Sequence, residues 1–368
     1  MSSGEQLLIH GGLHKTGSTF VQNTFLENRA ALLTEGVLYP ETGLSRDTQV
    51  GRRHSGLLKS LQMEGPSSVA WQRLREEIET AKVERCVLSR ENFPAVVPPH
   101  LIRQLAPNAD IHLTVCIRHP VDYLESRYRE WVQRIGYSGT PAQFYSVTAK
   151  HMEWEHSLTS WADVLGEDRV HVISLDHIRR EDLAKIVLTS AFADLSHVTL
   201  EPTAHDNRSI SNGECLLLLT ANRLRHAVPT LPKNRSLANL PVPYRGTEGR
   251  LFSDDIVDDV MEKFGDSYER LLVRAGVSDA GVYGKWISRS YDMEFSAREN
   301  AVRCAELLAL SKDSVTGVPA EIAEMGIDTL VRKVMQQRSK IAKLTERYVK
   351  SKEKITALKG RSKRKKSD

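Results

Sequence analysis

The chain has 368 residues, enough for one large α/β domain with an appendage or for two ordinary domains. With 40% apolar and 27% charged residues it has the make-up of a globular protein, which excludes fibrous and wholly disordered classes, and no apolar run approaches the ~20 residues that span a bilayer. The net charge of +4 conceals an asymmetry: residues 332–368 hold 15 Lys and Arg against 3 Asp and Glu, and the remainder 36 against 44, so a basic tail follows a mildly acidic body.

In chain order, Leu7, Leu8 and Ile9 form a short apolar strand that runs into Gly11-Gly12 and a small polar turn, His14 to Thr19. Apolar residues then recur at helical spacing from Ser18 to about Leu33, and Gly36 suits the left-handed terminus that closes such a helix. Gly36 to Tyr39 reads as a second strand ended by Pro40, and residues 42 to 56 as polar and irregular, with Arg52, Arg53 and His54 in their midst. The pattern predicts a helix over Trp71–Ala81, a buried strand over Arg85–Ser89, a short helix over Leu101–Leu105 and the clearest strand over Ile111–Ile117. Pro120 opens a helix running to about Arg134, since a proline's missing N–H costs nothing in a first turn. Further on come a helix ending at Trp161–Gly166, a strand over Val170–Leu175 and helices over Arg180–Ala191, Glu214–His226 and Ser253–Ala275, with loop-rich stretches at 202–213 and 229–250. Strands alternating with helices give a three-layer α/β fold, its mainly parallel central sheet flanked by helices.

This body is expected to span residues 1–285. A helical extension follows over 286–360, with apolar residues in heptad slots from Ile327 to Leu358 that suit a coiled coil and a homodimer, or one long helix on the body. Residues 361–368 are too charged to pack, and the basic tail suits an anionic surface. The four cysteines, Cys86, Cys116, Cys215 and Cys304, show no CxxC spacing and read as buried free thiols. A candidate site within the first fifteen residues leads to the expectation of no signal peptide and a cytoplasmic protein.

The turn at His14–Thr19 is the first candidate site. N–H groups opening a helix lack intrahelical partners, the helix dipole adds partial positive charge, and Lys15 adds a full one, so an anion belongs there. The triphosphate loop GxxxxGK[ST] places lysine after its last glycine, whereas Lys15 precedes Gly17. Arg118 ends the strongest strand and Ser126 lies eight residues on, so the sheet topology puts a second phosphate grip on the same rim.

Together these residues resemble the sulfotransferase family, in the P-loop-type form met in bacterial members. Lys15-Thr16-Gly17-Ser18-Thr19 is similar to its 5′-phosphosulfate loop, and Val115–Tyr128 (VCIRHPVDYLESRY) to its 3′-phosphate motif. Weaker similarity runs through Cys86–Asn92, Trp161–Ile178, Arg208–Ser211 and Leu251–Leu272, so the resemblance covers roughly residues 5 to 275. It implies transfer of a sulfuryl group from 3′-phosphoadenosine 5′-phosphosulfate (PAPS) to a hydroxyl or amine of an acceptor, a glycan or small metabolite, without a metal. Lys15 would stabilise the departing oxygen; Lys15, Thr16, Gly17, Ser18 and Thr19 would hold the 5′ end, and Arg118 with Ser126 the 3′-phosphate. Two departures stand out. The Arg-Lys-Gly segment of the cytosolic eukaryotic enzymes is missing, and Ser89-Arg90-Glu91-Asn92 replaces their catalytic-histidine setting. The base is thus open among Glu91, His54 and Glu41, in that order. Two rivals remain: an ATP-dependent P-loop kinase using Asp176 for magnesium, and a non-catalytic binding protein on the same fold.

Overall fold

The computed structural model describes residues 4–45, 53–203, 210–212, 215, 218, 219, 222, 223 and 250–277. Five strands form one parallel sheet: β1 (Gln6–His10), β2 (Val37–Leu38), β3 (Arg85–Ser89), β4 (Asp110–Ile117) and β5 (Val170–Ser174), in the order β2-β3-β1-β4-β5. From β1 the chain crosses to one side for β2 and β3, then to the other for β4 and β5. A reversal of this kind opens a crevice at the carboxyl end of the central strand. Past β1 the backbone stays pinned there: the N–H groups of Gly11 and Leu13 donate to Thr114 and Cys116, and those of Arg90 and Asn92 to the carbonyls of His10 and Gly12.

Side chains alternate across a strand, so each face of the sheet has its own cover. On one face Leu8, Val87, Cys116 and Ile173 pack with Phe20, Val21 and Phe25 of α1 (Ser18–Glu27), with Leu32 of α2 (Arg29–Thr34), and with a helix at Leu183–Ala191. On the other, α5 (Phe93–Val96), α6 (Pro99–Leu105) and α9 (Trp154–Leu165) pack together, and α9 lies on β4 and β5. There the Phe93 and Trp161 rings lie 5.8 Å apart and the Trp161 indole donates to the Pro94 carbonyl. The remaining helices are α3 (Ser55–Glu64), α4 (Val69–Ala81), α7 (Pro120–Arg134), α8 (Pro141–Thr148), α10 (the Leu183–Ala191 helix) and α11 (Asp254–Arg274). The fold is the expected three-layer α/β arrangement on a parallel sheet.

Several elements differ from the sequence reading, α5 among them, which was not expected. The single helix expected over Ser18–Leu33 is broken at Asn28, whose amide donates to the Thr24 and Glu201 carbonyls while its oxygen accepts from the Glu201 N–H. A side chain that bonds backbone in this way offers the chain an alternative to continuing the helix. α3 begins at the end of the stretch read as irregular (42–56) and runs on through residues that carried no expectation, burying Leu57, Leu58 and Leu61 on one narrow stripe. α8 opens with a capping box between Thr140 and Gln143 and was not expected.

The chain divides into two compact units, one of residues 1–128, 140–209 and 250–291 and the other of 129–139, 210–249 and 292–368. The first carries the sheet. In the second, Asn222 donates to the carbonyls of Val132 and Tyr137 and Arg129 to the Asn212 side chain. Cys86, Cys116 and Cys215 are buried free thiols, and burial pushes the Cys116 thiol up to about 12. No helix among the described residues is long and apolar enough to cross a membrane. The extension at 286–360, its heptads at 327–358, the tail at 361–368, Cys304, Arg208 and most of Glu214–His226 lie outside the described residues.

Candidate active site

The turn after β1 is built by backbone geometry that few residues accept. Gly17 caps α1 at φ 82°, and Lys15 sits at φ 63°, a left-handed conformation costing a lysine about 1–2 kcal/mol. A Cβ on Gly12 would lie 2.5 Å from Ser18 Oγ and 3.1 Å from Thr16 Oγ1, so the two hydroxyls occupy the space above it. Thr16 Oγ1 donates to the Leu13 carbonyl at 2.6 Å and fixes the turn. Ser18 Oγ is buried with no hydrogen-bond partner. No side chain among the described residues caps α1, so its opening N–H groups have no side-chain acceptor there.

Glu91 lies beside this turn because the chain past β3 is bonded to the chain past β1. One carboxylate oxygen accepts from the Lys15 N–H at 3.3 Å; the other meets His14 Nδ1 at 3.1 Å and Arg53 Nη1 at 3.6 Å. Burial alone would raise its pKa, but the His14 and Lys15 hydrogen bonds and the His14 and Arg127 charges outweigh burial and hold it at about 2.

The second candidate anion site is on the same rim. Arg118 follows β4, with Asp122 Oδ2 3.9 Å from Nη2 and Asp176 Oδ1 3.8 Å from Nε. Both contacts are loose, and Nε is buried with no hydrogen-bond partner. Ser126 is buried on α7, one turn beyond Asp122 and therefore on the same helical face. Asp176 is committed elsewhere: it accepts from the His119 N–H at 2.6 Å and the Tyr268 hydroxyl at 3.3 Å. It pins the start of α7 to the end of β5.

The structure thus brings Lys15, Thr16, Gly17, Ser18, Thr19 and Glu91 into one cluster and sets Arg118 and Ser126 on the same rim. It does not bring in His54 or Glu41. His54 is 2% exposed; its Nδ1 accepts from the Ser89 N–H at 3.0 Å, its Nε2 lies 3.1 Å from the Pro40 carbonyl, and burial holds it at about 4. It ties the ends of β2 and β3 together. Glu41 is three-quarters exposed and pairs with Arg29 at 2.5 Å. Sequence reasoning placed His14 in the anion turn but did not weigh it as a base, although it adjoins Lys15. It also passed over Arg90, which adjoins Glu91, and over a cavity of about 190 Å³ beside the turn, lined by Leu13, Asn92, Lys150, His151, Trp154 and His156 among others.

No family model and no curated protein matches this chain. Solved structures similar to it include the sulfotransferase domain from the curacin biosynthetic pathway, at 14% identity and a TM-score of 0.35 over 58% of this chain and 82% of that one. They include a sulfotransferase from Alicyclobacillus acidocaldarius, at 14% identity and 0.35 over 61% and 92%. A mouse sulfotransferase complexed with PAP matches at 12% identity and 0.32 over 73% and 89%. All three are sulfotransferases.

Proposed function

We propose that the protein is a PAPS-dependent sulfotransferase acting on a hydroxyl or amine of a glycan or small metabolite. The observation that carries the reading is the pair of anion grips on one rim, each with a buried, unpartnered polar atom: Ser18 Oγ in the turn and Arg118 Nε beyond β4. Native proteins seldom leave such atoms unpaired, and a nucleotide phosphorylated at both its 3′ and 5′ positions supplies oxygens to both. When bound, the donor brings an activated sulfuryl group. The turn's N–H groups and the Ser18 hydroxyl hold its 5′ end, Lys15 places a positive charge where the leaving oxygen gains a negative one, and Arg118 with Ser126 hold the 3′-phosphate. The kinase reading loses support because Asp176, its candidate magnesium ligand, is bonded to His119 and Tyr268. Cytoplasmic residence and dimerisation through residues 327–358 stand as proposals beside this one.

The base is assigned to His14 with Glu91 as its partner, rather than to Glu91 alone. A carboxylate held at about 2 takes up a proton poorly at neutral pH. His14 donates through Nδ1 to Glu91 and so presents Nε2 as the proton acceptor, the carboxylate–imidazole arrangement by which many nucleophiles are activated. The test is the pH dependence of transfer from labelled PAPS. Loss of the acidic limb in His14→Gln, with only weakened activity in Glu91→Gln, supports the assignment; an unchanged limb in His14→Gln returns the role to Glu91.

A further inference from the structure

The donor reading leaves two arginines, Arg53 and Arg90, with buried N–H groups that nothing among the described residues accepts from. Arg53 and Arg90 flank Glu91, and their like charges act on each other enough that burial and Arg53 together lower the Arg90 pKa. Arg53 Nε, Arg90 Nε and Arg90 Nη1 are buried with no hydrogen-bond partner among the described residues. Arg53 spends one nitrogen on Glu91, at 3.6 Å. Beyond His14, Arg127 and Lys150 extend the same positive field to His151 and to the mouth of the 190 Å³ cavity beside the turn. Glu91 is already shared between His14, the Lys15 N–H and Arg53, and Glu153 lines the cavity beside Lys150 and His151, so the carboxylate beside Arg53 and Arg90 is Glu91. The 5′ and 3′ ends of the donor are met by the turn, Lys15, Arg118 and Ser126, so the donor does not account for this surplus.

Resting on the sulfotransferase reading above, we infer that the acceptor is itself an anion, carrying an oxoanion group that the Arg53–Arg90 pair grips while its hydroxyl or amine lies at Glu91 and His14. Guanidinium forks match carboxylate, phosphate and sulfate oxygens with paired hydrogen bonds, and unpaired guanidinium N–H groups next to a transfer site have no other ready use. The cavity of about 190 Å³, lined by Leu13, Asn92 and Trp154 among others, is on the scale of a sugar ring.

The experiment holds the full chain saturated with PAP, so that the donor grips are filled, and measures binding of two matched pairs. One pair is p-nitrophenyl glucuronide and p-nitrophenyl glucoside; the other is glucose 6-phosphate and glucose. The expected result is at least tenfold tighter binding of a charged member over its neutral twin, the pair concerned telling carboxylate from phosphate. In the double variant Arg53→Gln, Arg90→Gln that preference falls to threefold or less while PAP affinity is unchanged. If this variant does not fold, the wild-type preference and its retention in Arg53→Lys, Arg90→Lys decide the matter. Equal binding within both pairs, or no measurable binding of either charged member, by a protein that binds PAP overturns the inference and leaves the donor reading standing. Failure to bind PAP overturns the donor reading and this inference with it.

Discussion

At the scale of single residues, Lys15 and Glu91 have separable tests. On the sulfotransferase proposal Lys15 meets charge that exists only in the transition state, so Lys15→Ala is expected to lower the transfer rate by roughly 10²–10³-fold with the fold intact by circular dichroism. Transfer undiminished in that variant removes the role. Glu91 is a stability device as well as a partner to His14. Its carboxyl goes from the ordinary 4.5 to about 2 on folding, so its contribution is complete above about pH 4.5 and is lost as pH falls toward 2. The amount is at most about 3–4 kcal/mol, since each pKa unit is worth about 1.4 kcal/mol. Denaturant unfolding of wild type and Glu91→Gln should therefore show a gap at pH 7 that narrows below about pH 4.5 and closes toward pH 2; a gap independent of pH contradicts the ionised pairing with His14. His54, buried with both ring nitrogens engaged, behaves as structure: His54→Ala is expected to cost about 1–3 kcal/mol in the same measurement through the orphaned Ser89 N–H.

At the scale of elements, the site is the consequence of three chain segments leaving a parallel sheet at one edge. The turn between β1 and α1 depends on Gly17, where φ is 82° and an added Cβ would lie 2.6 Å from Leu183 Cδ2 on α10. Gly17→Ala should cost about 1–2 kcal/mol of stability, and by moving the first turn of α1 it should weaken PAP binding at least tenfold, read by calorimetric titration. Unaltered affinity would mean that the opening of α1 does not hold the ligand. This is also where the sequence was most informative. Lys15 to Thr19 after a three-residue apolar strand, and Arg118 after Ile117, were legible because strand ends and helix starts are local signals that topology then gathers on one rim. The bond from the Asn92 N–H to the Gly12 carbonyl, which carries Glu91 to His14, joins residues 80 apart and leaves no local trace. The break at Asn28 was hidden for the same reason, its partner being Glu201. By contrast Thr140-Pro141-Ala142-Gln143 was a readable helix start, and its capping box was passed over.

At the scale of the whole molecule, the protein's acid sensitivity should be set by buried imidazoles. Burial holds His10, His54, His119 and His171 at about 4, against an ordinary 6.5, so the unfolded chain binds protons that the native one refuses between those values. Stability from these groups is complete above about pH 6.5 and is lost progressively down to pH 4. Thermal unfolding followed from pH 7.5 to 4 should show the melting temperature falling through that window; a flat profile would mean these rings charge freely in the native state. The basic tail and the heptads at 327–358 form a separate proposal: truncation after about residue 320 should leave PAP binding intact and lower the mass measured by light scattering. An unchanged mass removes the coiled coil from the account.

The central claim is that one rim holds a nucleotide phosphorylated at both ends. The most direct measurement is titration of the full chain with PAP in the presence of a metal chelator, beside AMP and ATP with magnesium, repeated in Arg118→Met. PAP bound without metal and at least tenfold tighter than AMP, with that preference lost in Arg118→Met, is the expected result. Binding of ATP with magnesium alone, or equal affinity for PAP and AMP, would contradict it.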